Sequence, residues 1–170
     1  MPKSGTIVVG RERVTTWMEY GVAAAVIGVV AAVLLGAVLH YEELGEKTEV
    51  ELTILNIRAG LRFQVADRIM NGRTNELLAL DGSNPVRWLE RPPANYAGEC
   101  RSANPDAIYR GQWCFDPDRK ELRYRPRLRS NLSPDLYVLR WRVVPVFGTT
   151  RNRTVDSLAL VNVETYRWFQ

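Results

Sequence analysis

The chain has 170 residues, with 23 lysines and arginines against 19 aspartates and glutamates and 46% hydrophobic residues, enough apolar mass for one folded domain and too much for a disordered chain. A single histidine, His40, excludes a histidine-dependent catalytic triad and a histidine-based metal site, and two cysteines are too few for a four-cysteine zinc site. With no glycine-rich phosphate loop, and with only Asp81 and Asn84 as a candidate oxygen pair where calcium takes six to eight donors, the chain reads as a non-enzyme without a cofactor.

In chain order, residues 1–14 form a basic leader or retained N-terminus carrying Lys3, Arg11 and Arg13. Gly21 to Leu39 then holds no charge or strongly polar group, and as a helix it measures roughly 29 Å, close to the hydrocarbon thickness of a bilayer. The run is longer than the apolar core of a cleaved signal, about 7–15 residues, and ends in His40 and Tyr41 without a small-x-small site. It reads as a single transmembrane span. Basic residues precede it, whereas Glu42, Glu43, Glu46, Glu49 and Glu51 follow with Lys47 alone among them, so the N-terminus is expected in the cytoplasm and the body across the inner membrane, in the periplasm.

Glu19 stands just before this span, where an ionised carboxylate is costly enough to call for a partner; contact with headgroups and water is the plainer alternative. Within the span, Ala24, Gly28, Ala32 and Gly36 recur every four residues as a strip of small side chains that permits close helix packing. Beyond the span, Ile54, Ile57, Leu61, Val65 and Ile69 step by three and four, the spacing of an amphipathic helix. Asn71 and Gly72 supply a C-terminal stop, so one helix is expected over residues 15–73, apolar first and amphipathic after.

Residues 74–170 read as a globular domain. Asn75 to Leu80 predicts a helical turn, Asp81 to Pro85 a turn, and regular structure is thin from Pro92 to Gln112. Trp113 to Phe115, Glu121 to Arg125, Leu136 to Val146 and Ser157 to Phe169 are rich in strand-forming residues, with short connections at Asp116–Lys120 and Gly148–Arg153. Three or four antiparallel strands with one apolar face need a cover, and the outer half of the long helix is the available one. The expected fold is therefore α+β: a long N-terminal helix, transmembrane then amphipathic, packed on a small antiparallel β-sheet. Cys100 and Cys114 pair by number in an oxidising compartment, and two buried thiols are the alternative.

Arg123, Arg125, Arg127 and Arg129 alternate, so an extended strand would point all four to one face, and Arg140 and Arg142 repeat the spacing. Six guanidiniums on paired strands would make a patch for an anionic ligand such as DNA; the plainer reading is a solvated face balanced by Asp118, Glu121 and Asp135. Pro126 places the first of these strands at an edge or ends it.

Thr15, Thr16, Trp17, Met18, Glu19 and Tyr20, running into Gly21–Leu39, resemble the N-terminal segment of type IV pilins and type II secretion pseudopilins, with a glutamate at the head of the apolar helix. Gly111 to Pro117 followed by Leu122 to Arg125 resembles the strand, tight turn and strand of pilin-like globular domains. Val14 stands where the family normally has glycine before the cleavage point, and Thr15 where phenylalanine is usual, so cleavage and a retained N-terminus are both open. The resemblance implies a structural subunit that joins other pilin-like subunits or inner-membrane assembly components. Glu19 would meet a positive group on a neighbour, with Ala24, Gly28, Ala32 and Gly36 in the helix packing. The other function class is a membrane-anchored binding module using the arginine face.

Overall fold

A computed structural model of the protein describes residues 11–101, 108–148 and 155–169. One helix, α1, spans Arg11–Met70, and the chain divides into two units, Met1–Glu42 and Glu43–Gln170.

In the first unit, α1 is exposed from Trp17 to Glu42, large apolar side chains such as Ile27 and Leu35 included. Among the described residues of the unit, nothing packs over them. α1 is the one helix among the described residues long and apolar enough to cross a membrane, and it lies near the N-terminus.

In the second unit, α1 contributes Val50, Ile54, Ile57, Leu61 and Val65 to the core. Four of these were expected from their spacing; Val50 extends the same face back by one turn. Ile69 does not join them and is 47% exposed, because it falls in the last turn before the helix stops. The stop is a Schellman cap: Gly72 takes φ 69°, its N–H donates to Ile69 O, and the Arg73 N–H donates to Arg68 O. Glycine is needed there because a Cβ disfavours that backbone conformation. Two short 3-10 helices follow, Thr74–Leu80 and Pro85–Trp88, and they bury Leu77 and Val86 against the core. Asn84 caps the second, its side chain accepting from the Val86 N–H.

The sheet has five strands in the order β1 (Tyr96–Glu99), β2 (Gln112–Asp116), β3 (Glu121–Arg125), β4 (Leu139–Phe147) and β5 (Val155–Asn162). Pairings from β2 to β5 are antiparallel, as expected, but β1 runs parallel to β2, so the sheet is mixed rather than purely antiparallel. β1 lies in the stretch read as loop. It is four residues long, contains Gly98 at φ 87° and borrows its order from its neighbour: Trp113 N–H donates to Asn95 O and Cys100 N–H to Phe115 O. The Cys100–Cys114 disulfide ties the same two segments, with Cα atoms 5.8 Å apart. The last strand is shorter than expected, ending at Asn162, with Trp168 returning only as a bridge to Leu132. The Gly148–Arg153 connection lies largely outside the described residues, as does the leader before Arg11.

Side-chain alternation sets the faces. Leu139, Trp141 and Val143 of β4, with Leu122 and Tyr124 of β3, point to α1. Between β2 and β3, the Asp116 side chain accepts from the N–H groups of Asp118 and Arg119, both at 3.0 Å, which closes the tight connection.

Candidate functional site

Three groups of residues carry the possible functions. The first is the exposed apolar segment. Glu19, Ala24, Gly28, Ala32 and Gly36 are all exposed on α1, and a Cβ added at Gly28 or Gly36 would meet no atom within 4 Å. Steps of four residues advance about 40° around a helix, so the small residues form one slowly turning strip, open along its length. A second helix could approach it closely.

The second group is the arginines, and the alternation does not carry through all of them. β3 ends at Arg125, and Pro126 begins a loop that holds Arg127 and Arg129, which removes them from the strand face. Arg123 is 4% exposed; it lies opposite Arg140 in the ladder and meets Asp116 at 2.9 Å and Glu121 at 3.9 Å. Arg140 contacts Glu121 and Glu164, and Arg142 donates to Arg119 O and to Glu121. Arg125 donates to Ile108 O, Arg127 faces Glu49, and Arg129 stacks on Tyr137. Acids and carbonyls already engage these guanidiniums, so they do not make one open cationic face.

The third group was missed by the sequence reading. Glu43 and Glu46 are buried side by side on one turn of α1. Glu46 accepts from the Tyr124 hydroxyl at 2.7 Å, the Arg127 N–H at 2.7 Å and the Leu128 N–H at 3.1 Å. Glu43 accepts from the Asn131 N–H at 2.9 Å, the Asn131 side chain at 3.0 Å and the Trp168 indole at 3.1 Å. Every donor comes from the strand end and loop 124–131 or from the C-terminal bridge. The two carboxylates fasten that irregular backbone to the helix, satisfying N–H groups that no strand takes up. The signal was present: counting back from Val50 by four and by three more lands on Glu46 and Glu43, in phase with the core face.

Burial holds the Tyr124 hydroxyl well above the ordinary tyrosine range, reinforced by its bond to Glu46 and the charge there, with Arg127 opposing. Tyr166 is raised too, by burial first and by Glu51. The sign follows directly. Unfolded tyrosine loses its proton near pH 10 while folded Tyr124 keeps it, so the unfolded state gains as pH rises. Stability is therefore present in full below about pH 10 and falls above it, the Tyr124 share being on the order of 1 kcal/mol by pH 11. Urea midpoints at pH 9 and pH 11 should show that extra loss in the native chain, and Tyr124→Phe should lack it.

Among the described residues, no group of three or more histidine, cysteine, aspartate or glutamate side chains is placed to hold a metal ion. No protein-family model, curated protein or solved structure matches the chain.

Proposed function

We propose that the protein is a membrane-anchored, pilin-like structural subunit that assembles with neighbouring subunits through its N-terminal helix. The observation that carries this reading is the change of role along α1: exposed and apolar through Gly21–Leu39, then the main helical element of a disulfide-bonded sheet unit. An apolar face this long is stable against lipid or other apolar helices, not against water. The basic residues before the span support a cytoplasmic N-terminus, and the disulfide fits a body on the oxidising side. Glu19 then sits at the membrane border with a carboxylate to be paired, and the strip from Ala24 to Gly36 gives a neighbouring helix its closest approach.

In native membranes the full-length chain should resist extraction by high salt and require detergent. Crosslinking there should capture neighbouring subunits, and Glu19→Ala should remain in the membrane yet lose that capture, with Glu19→Asp retaining most of it. Extraction by salt alone overturns the anchor. Unchanged capture by Glu19→Ala overturns the role of the carboxylate.

A further inference from the structure

The outer part of α1 has a second apolar face, opposite the one that enters the core. Leu44, Leu55 and Ala66 are eleven residues apart, as are Thr48, Ala59 and Met70, and Leu52 and Phe63 complete the pattern. At about 100° per residue, this stripe is centred about 170° from the line of Val50, Ile57 and Leu61. It is exposed throughout: Leu52 by 55%, Leu55 by 56%, Phe63 by 71% and Met70 by 86%. Among the described residues, no element of the Glu43–Gln170 unit covers it. A water-facing helix surface ordinarily carries polar residues, so a row of large apolar side chains over more than two eleven-residue repeats marks a contact surface.

We propose that this stripe pairs with the same stripe of a second copy of the chain, the two helices parallel and in register. Charge at the margins selects the occupant and its direction. Arg58 and Arg62 border the stripe on one side, Glu49 and Asp67 on the other; Glu51, on the arginine side, is held by Lys47, and Glu49 and Asp67 also meet Arg127 and Arg73 of their own chain in exposed pairs, which contribute little and leave both acids open to a second partner. When two parallel helices meet stripe to stripe, the opposite margins come together. Arg62 of one copy then faces Asp67 of the partner subunit, five residues on, the offset by which charged pairs cross a parallel coiled coil. An antiparallel pair would set arginines against arginines. An eleven-residue repeat closely matches the natural turn of an α-helix, so the two would run nearly straight with a slight right-handed twist. The surface is distinct from the Gly21–Leu39 segment of the proposed function. The parallel sense also agrees with the anchoring proposed there, since copies inserted the same way in one bilayer present their helices in one direction.

Single cysteines test this in the full-length chain in its native membrane, where the two native cysteines are joined to each other and no free thiol competes. Leu52→Cys and Phe63→Cys, each alone, should give dimers of twice the chain mass on mild oxidation. Thr53→Cys, on a different face, should stay monomeric. Leu55→Glu added to Leu52→Cys should reduce the dimer by about tenfold or more, because a carboxylate is forced into the apolar seam. The pairing is overturned by absence of both dimers, by equal dimer at Thr53→Cys, by dimers that need Leu52→Cys and Phe63→Cys chains mixed, or by an adduct of another mass. Fractionating the same samples reads the anchor separately: soluble protein that still forms these dimers overturns the anchor alone.

Discussion

Replacing Glu46 with alanine is expected to destabilise the folded unit by about 3 kcal/mol or more, a large share of the 5–15 kcal/mol typical of a domain. The side chain is buried and accepts three hydrogen bonds, two from backbone N–H groups of the loop after β3 and one from Tyr124. Alanine leaves those donors without an acceptor, and an unsatisfied buried donor costs about 1–3 kcal/mol. Glutamine tests the cause. It keeps one carbonyl acceptor of the same shape but turns an NH2 group toward a donor, so Glu46→Gln should cost less than Glu46→Ala and still be clearly destabilising. Glu42→Ala, one residue before the buried pair and exposed, should be close to neutral, since surface charges contribute little. Guanidinium unfolding of the full-length chain in detergent, followed by tryptophan fluorescence, measures all three. A near-neutral Glu46→Ala would show that the loop finds other acceptors and that the carboxylate is dispensable.

Glu43 and Glu46 also show how sequence reasoning and structure part company. The helix, its apolar segment and its core spacing were legible because each is a local periodicity: nineteen residues without charge, then Ile54, Ile57, Leu61 and Val65 at steps of three and four. β2 and β3 were legible because aromatic and aliphatic residues flank the Asp-Pro-Asp connection, and the disulfide because two cysteines allow one pairing. What failed was non-local. Acids at the head of the amphipathic face counted only as charge following the span, since their partners lie in residues 124–131 and at Trp168, some eighty to one hundred and twenty-five positions away.

Alternation of the arginines suggested one strand face because period two is the local rule; Pro126 ends β3, one of the two outcomes its sequence allowed, and Glu121 does meet the arginines, but the burial of Arg123 between Asp116 and Glu121 carried no local signal. β1 escaped notice because a four-residue strand with a glycine carries little pattern of its own. The outward stripe of α1 was overlooked for a related reason: once one periodic face accounts for a helix, the remaining apolar residues look incidental. A spacing of eleven becomes visible only when the exposed side chains are considered by themselves.

The second large effect is expected at Trp141, at the centre of the sheet's core face. Its side chain is fully buried, 5.3 Å from the ring of Trp113 and 6.1 Å from that of Tyr166, and β4 places it against α1 between Leu139 and Val143. Trp141→Ala should cost about 3–5 kcal/mol, the usual range for deleting a buried aromatic ring and leaving its cavity. Trp141→Phe separates the ring from its polar atom. The indole N–H is buried and has no hydrogen-bond partner among the described residues, so phenylalanine removes an unpaired donor while losing part of the ring's volume. The two changes oppose each other, and Trp141→Phe should fall well below Trp141→Ala, within about 1.5 kcal/mol of the native chain. Trp168→Phe is the contrast, because that indole donates to Glu43. Removing it deprives a buried carboxylate of one of three donors, so it should cost more than Trp141→Phe despite the identical exchange of side chains. If the two tryptophans respond alike, ring volume alone sets the cost, and the hydrogen bond from Trp168 to Glu43 adds nothing measurable to the fold.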